Sequence, residues 1–234
     1  MPIERAAGSG LPPLIGVDGA VLTEHPIGTA AWVPPAFLIT SFGCAPTQSE
    51  IGQAVGPVNF AAAYNRPAST VTVDDGSGPV IVPLPGVAFV LPGPYVKTGI
   101  NAAQSFALLA TQGSSSASAG TGIAFLPRVY WGTAPVPVAY DQAFIVGLAS
   151  NTLAAARQRL MAVNATPGQK IYYCFPTVYG GVPGNFIDND TGFAAGFTKI
   201  APGVLVTNAF GVVVSIDVWE SNQFGLGAVN IRVT

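Results

Sequence analysis

The chain is 234 residues long with a formal net charge of −2, and only 9% of its residues are Asp, Glu, Lys or Arg, against about 25% in an ordinary soluble domain. Half of its residues are hydrophobic, and it holds 28 glycines and 21 prolines. The nine lysines and arginines are scattered, which excludes the basic footprint of a nucleic-acid binder. Every apolar run is broken by Gly or Pro well before the ~20 residues that a membrane helix needs.

A solvated surface is normally built largely from charged side chains. Pro26 to Ser49 and Thr98 to Pro127 contain none. Such a surface is expected to be covered, either by protein partners or by lipid. Strands of an outer-membrane barrel leave only a weak signal. The start, Met1-Pro2-Ile3-Glu4-Arg5, has no apolar stretch after its charge pair, so synthesis and retention in a cytoplasm, with protein partners and no membrane, are the expectation. Cys44 and Cys174 are then expected as buried free thiols, a bond between them staying open.

Residues 1–35 read as an extended arm. Gly8-Ser9-Gly10, Pro12-Pro13 and Pro34-Pro35 punctuate it, and proline both removes backbone donors and disfavours helix before it. Its short apolar pairs cannot build a core, so it is expected to lie on a neighbouring subunit.

Residues 36–127 read as a β-sandwich. Ala36–Phe42, Val58–Tyr64, Ser69–Asp74, Val80–Val82, Gly86–Leu91 and Ser105–Ala110 are rich in strand formers, and turn signals such as Asp75-Gly76 separate them. The Ser/Ala/Gly run Ser114–Gly122 has linker composition, but a linker would expose the apolar Ile123–Leu126 that follows, so a hairpin into a small-residue strand is expected.

Residues 128–234 read as a second β-sandwich. One short helix is expected after Asp141, a plausible N-cap with Phe144, Ile145 and Leu148 at helical spacing. Leu153–Leu160 has high helix propensity, while Arg159, Met161 and Val163 alternate as in a strand, so a short helix followed by a strand is expected over 153–164. Ile171–Phe175, Val204–Thr207, Val212–Trp219 and Ala228–Thr234 complete the strands.

Three segments carry a likeness. Val129-Tyr-Trp-Gly132, Ile171-Tyr-Tyr-Cys-Phe-Pro-Thr-Val-Tyr-Gly180 and Thr207-Asn-Ala-Phe-Gly-Val-Val-Val-Ser-Ile-Asp-Val-Trp-Glu-Ser-Asn222, with Gly225-Leu-Gly227, stand in this order. Together they resemble a C-terminal module of tailed-bacteriophage structural proteins, of the tail-fibre or baseplate-associated kind. Glu50-Ile-Gly52 and Val58 to Pro67 resemble the immunoglobulin-like sandwich that tends to precede it. The likeness covers about residues 40–234 and has no catalytic motif. It implies a virion location, with other virion proteins and copies of the chain itself, as a trimer or ring, for partners. Tail, baseplate or fibre is the expected place; head decoration and a glycan-binding fibre tip are the alternatives.

No catalytic, cofactor or metal site is expected. His25 is the single histidine, too few for a recognisable zinc site or a histidine triad. Asp188-Asn-Asp-Thr-Gly192 resembles the start of a calcium loop, but Lys199 stands where the closing acid belongs, and turn chemistry explains the run. Tyr130, Trp131, Tyr172, Tyr173 and Trp219 are candidates for interface or sugar stacking, weighed against core packing. Asp217 and Glu220 flank Trp219, and a strand separates such neighbours unless it bulges, so no carboxylate pair is expected.

Overall fold

The computed structural model describes residues 21–24, 30–33, 35–83, 86–182 and 185–234. His25 and much of the predicted arm lie outside them. The first strands are β1 (Val21–Glu24), β2 (Ala30–Val33), β3 (Ile39–Ala45), β4 (Gln48–Glu50), β5 (Val58–Tyr64), β6 (Thr70–Asp74), β7 (Pro79–Ile81), β8 (Ala88–Leu91), β9 (Ala102–Gln112) and β10 (Ser115–Leu126). Then come β11 (Arg128–Ala134), the helix α1 (Gln142–Val146), β12 (Ser150–Leu153), β13 (Arg159–Ala165), β14 (Lys170–Pro176), β15 (Phe186–Asp188), β16 (Phe197–Thr207), β17 (Val213–Ser221) and β18 (Gly227–Val233). The fold is all-β and sandwich-like. Within the segment expected as an arm, β1 and β2 pair as an antiparallel hairpin with Val21 opposite Val33.

The first sandwich sets the sheet β3-β5-β8 against the sheet β4-β10-β9-β6-β7. Alternation decides what each strand buries: Val71, Val73, Phe106, Leu108 and Ala110 point inward and are buried. Phe60 of β5 meets Phe106 of β9 edge-to-face at 4.8 Å, and full burial of such a ring contributes about 1.5–3 kcal/mol. Between β3 and β4 the chain changes sheets, and β4 runs parallel to the end of β10. The Ser/Ala/Gly run is strand β10, hydrogen-bonded along its length to β9.

The second sandwich sets β12-β11-β14-β17-β16 against β13-β18-β15. β14 and β17 are its centre, and both are buried on both faces. One face carries Ile171, Tyr173, Phe175 and Trp219 towards β13-β18-β15. The other carries Tyr172, Cys174, Ile216 and Val218 and is covered by the segment holding α1, whose Phe144 meets Tyr172 edge-on at 4.9 Å. The helix starts where expected: the Asp141 carboxylate accepts the Phe144 N–H at 2.9 Å. Cys44 and Cys174 are free and buried, and burial raises the Cys174 thiol pKa far above its ordinary value.

The expected helix within 153–164 does not form. Leu153 ends β12, residues 154–158 are irregular, and β13 begins at Arg159. The carbonyls that a helix would use are taken by distant side chains. Tyr179 donates to Ala154 O, Asn101 to Ala155 O and Tyr173 to Arg157 O, at 2.8, 2.9 and 2.7 Å. So short a segment has little helical stability of its own to set against those bonds.

Only Pro127 separates β10 from β11, and one continuous hydrophobic cluster runs from Phe60 and Phe106 to Tyr172 and Val218. At the junction Asn208 donates to Ile51 O at 2.7 Å, and Arg128 Nε pairs with Glu50 Oε2 at 2.7 Å. The void left among Ile51, Tyr130 and Ile216 is about 10 Å³, barely what one water requires. Gly52 sits against this seam at φ +83°, where an added Cβ would lie 2.6 Å from Val212 Cγ2. Gly52→Val is therefore expected to lower stability by about 2–4 kcal/mol through backbone strain and overpacking. Calorimetric unfolding checks this, and an unchanged transition would show that the seam yields.

Candidate functional site

Four of the five aromatic residues singled out in the sequence lie in the core. Tyr130 and Tyr172 face the α1 side, and Tyr173 and Trp219 face β13-β18-β15. All four are at most 5% exposed, so they offer no stacking platform to a sugar or a partner in this chain. Trp219 stacks on Phe175 at 6.3 Å and lies 5.3 Å from Phe186. Trp131 is half-buried beneath the Arg159 guanidinium, 4.1 Å above its ring. The clustering in sequence reflects strands buried on both faces, where successive aromatic residues serve two cores.

The polar chemistry of the second sandwich lies in its central sheet. Asp217 and Glu220 are both buried, and alternation along β17 sends them to opposite faces. Asp217 Oδ2 pairs with Lys199 Nζ at 2.7 Å, while Oδ1 accepts from the Thr177 hydroxyl at 3.0 Å and the Gly203 N–H at 3.1 Å. Glu220 Oε1 pairs with Lys170, and Oε2 accepts from Tyr140 at 2.7 Å and Tyr172 at 3.0 Å. Buried carboxylates need such partners, since an unpaired one costs several kcal/mol. Every carboxylate oxygen here is filled by a donor from the same chain, and the two acids share no space in which a substrate bond would lie.

These networks move the titrations in a consistent direction. Burial pushes the Glu220 carboxyl up, but the bonds from Lys170, Tyr140 and Tyr172 outweigh it and hold the group below its ordinary value of 4.5. Burial, then the bond to Glu220, pushes Tyr140 up to about 12, and Tyr172 moves the same way for the same reasons. The tyrosines thus stay protonated donors over any ordinary pH.

The remaining acidic runs are turns. Asp74 Oδ1 accepts the Gly76 N–H at 2.7 Å and the Gly78 N–H at 3.2 Å, closing the β6–β7 hairpin. Asp188 accepts from Asp190 N at 3.0 Å and from the Thr191 hydroxyl at 2.9 Å. Among the described residues no three His, Cys, Asp or Glu side chains gather as a metal site would require.

The exterior is the distinctive feature. Ile81 is 78% exposed, Phe193 77%, and Val138 stands fully in solvent. Val178, Leu205 and Leu160 are each more than half exposed. Meanwhile the acids Glu50, Asp217 and Glu220 are withdrawn into intrachain ion pairs, leaving still less charge for the surface. The pairing of Lys170, Lys199 and Arg128 escaped the sequence reading. The available signal was an acid inside a β-branched run, as at Val214-Ser-Ile-Asp-Val-Trp-Glu220, because an acid in a buried strand demands a cation elsewhere.

Glu220→Gln leaves Lys170 uncompensated and is expected to cost about 3 kcal/mol at neutral pH. Because the folded pKa lies below the unfolded one, the stabilisation is complete above pH ~4.5 and is lost as pH falls through the folded value. Thermal unfolding between neutral and acid pH should therefore show the variant's deficit shrinking below pH ~4.5; a gap independent of pH would contradict the assignment. No protein-family model matches this sequence, and no curated protein matches it.

Proposed function

We propose that this chain is a non-enzymatic structural component of a tailed-phage virion, seated in the tail, baseplate or a fibre. Its arm and its low-charge surfaces hold it to other virion proteins and to copies of itself. The observation that carries this reading is the exterior: exposed Ile81, Phe193, Val138 and Leu205 on a chain whose buried acids are already spent on intrachain pairs. Exposed apolar area of this kind gains free energy when a partner covers it. The three C-terminal segments that resemble a phage-particle module support the same reading from the sequence side.

Location in a particle follows as an expected outcome. Quantitative mass spectrometry of purified particles from a host carrying this coding sequence should find the chain at a fixed multiple of copies per particle. Fractionating heads from tails before digestion assigns it to one or the other. Absence from the particles, with the chain free in the lysate, would overturn the proposal.

A further inference from the structure

The outer face of the sheet β4-β10-β9-β6-β7 has no covering layer among the described residues. Its side chains follow from register. Ile81, Thr72, Leu109 and Ser118 form one row across four strands, and Pro79, Asp74, Ala107 and Gly120 form the next. Ile81 is 78% and Leu109 47% exposed, and Ser105, Ala107, Ser118 and Gly120 are exposed as well. The face is therefore poor in charge, hollowed towards the start of β9, and carries Ile81 and Leu109 as its apolar part.

We propose that this face pairs with the same face of a second copy of the chain. The inference rests on the structural-assembly reading above and names the surface that serves it. Two observations select a second copy as the occupant. First, the open concavity on this part of the sheet, about 940 Å³, is lined by Asp74, Asp75 and Lys97, and the Asp75 oxygens are taken up by Ser77 and Tyr95. Lys97 takes part in no ion pair among the described residues, and only one oxygen of Asp74 accepts hydrogen bonds there. A surface bearing both signs is complementary to itself under a two-fold rotation, which sets Lys97 of one copy against Asp74 of the other. A partner of uniform charge would leave one of the two opposed.

Second, the size fits. At ~3.4 Å per residue and ~4.8 Å between strands, β9 and β10 cover about 37 by 10 Å, and β6 and β7 roughly double the width over half that length. The projected area is on the order of 550 Å², about 1,100 Å² for the two copies together, which places the contact at the low end of specific interfaces. Small side chains at Ser105, Ala107 and Gly120 let the two sheets approach, while Ile81 and Leu109 supply the apolar area removed from water.

The test uses the full chain in sedimentation equilibrium. The wild type should form a dimer or a higher assembly built from it. Ala107→Arg, placed on the open face where folding tolerates it, should weaken that association about 100-fold while Ala107→Ser leaves it intact. As a second measurement, Ser105→Cys should cross-link between copies with a short bismaleimide, whereas Val138→Cys, equally accessible but away from this face, should not. The native thiols are buried and leave the readout clean. A strictly monomeric chain, an assembly indifferent to Ala107→Arg, or equal cross-linking from both sites would overturn the inference. Those results would leave the virion reading standing if the chain is still found in particles, and absence from particles would remove that reading independently.

Discussion

The second sandwich depends on a sheet buried on both faces. β14 and β17 run side by side through its middle, with Tyr172, Cys174 and Val218 turned to one core and Tyr173, Phe175 and Trp219 to the other. Antiparallel sheets commonly leave one face in water; along its central strands this one leaves neither. That constraint fixes much around it. α1 and its flanking loops must lie over one face, β13-β18-β15 must close the other, and any charge on the central strands must find a partner within the chain. Lys170 and Lys199 stand on the neighbouring strands to meet Glu220 and Asp217. The cost of an unpaired buried charge turns these pairs into position markers for strand register, since a slip of one residue would exchange the two faces.

The same logic separates what could be read in the sequence from what could not. Strand identity was legible wherever alternation was clean, as in Thr70–Asp74 and Ser105–Ala110, and the Asp141 cap was legible because its chemistry is local. The stretch 153–158 was not, because Tyr179, Asn101 and Tyr173 claim its carbonyls from far along the chain, and propensity knows nothing of them. The aromatic residues were ambiguous for a related reason. Tyr130, Trp131, Tyr172, Tyr173 and Trp219 were visible as a cluster, but a strand buried on both faces and a strand presenting a platform have the same composition. Only the layer that covers the sheet distinguishes them.

Depleting the surface of charge removes what normally keeps a protein solvated and apart from its neighbours. Three of the acids are used inside, where Glu50 with Arg128 also braces the seam between the two sandwiches. What remains outside, among the described residues, is a charge-poor exterior with isolated large apolar side chains, broken by glycine and proline turns. A building block of an assembly can carry such a surface because its working state covers it. The close seam at Ile51 and Asn208 is consistent with a rigid unit that presents fixed faces to its neighbours.

Whether partners cover this exterior when the protein is at work is open to direct measurement. Hydroxyl-radical footprinting, comparing the isolated chain under dilute conditions with the chain in intact particles, measures that side chain by side chain. Coverage by partners predicts strong labelling of Ile81, Leu109 and Leu205 in the isolated chain and clear protection of a subset of them in the particle, with the buried Tyr173 and Trp219 silent in both. Equal labelling of the exposed apolar residues in both states would contradict it.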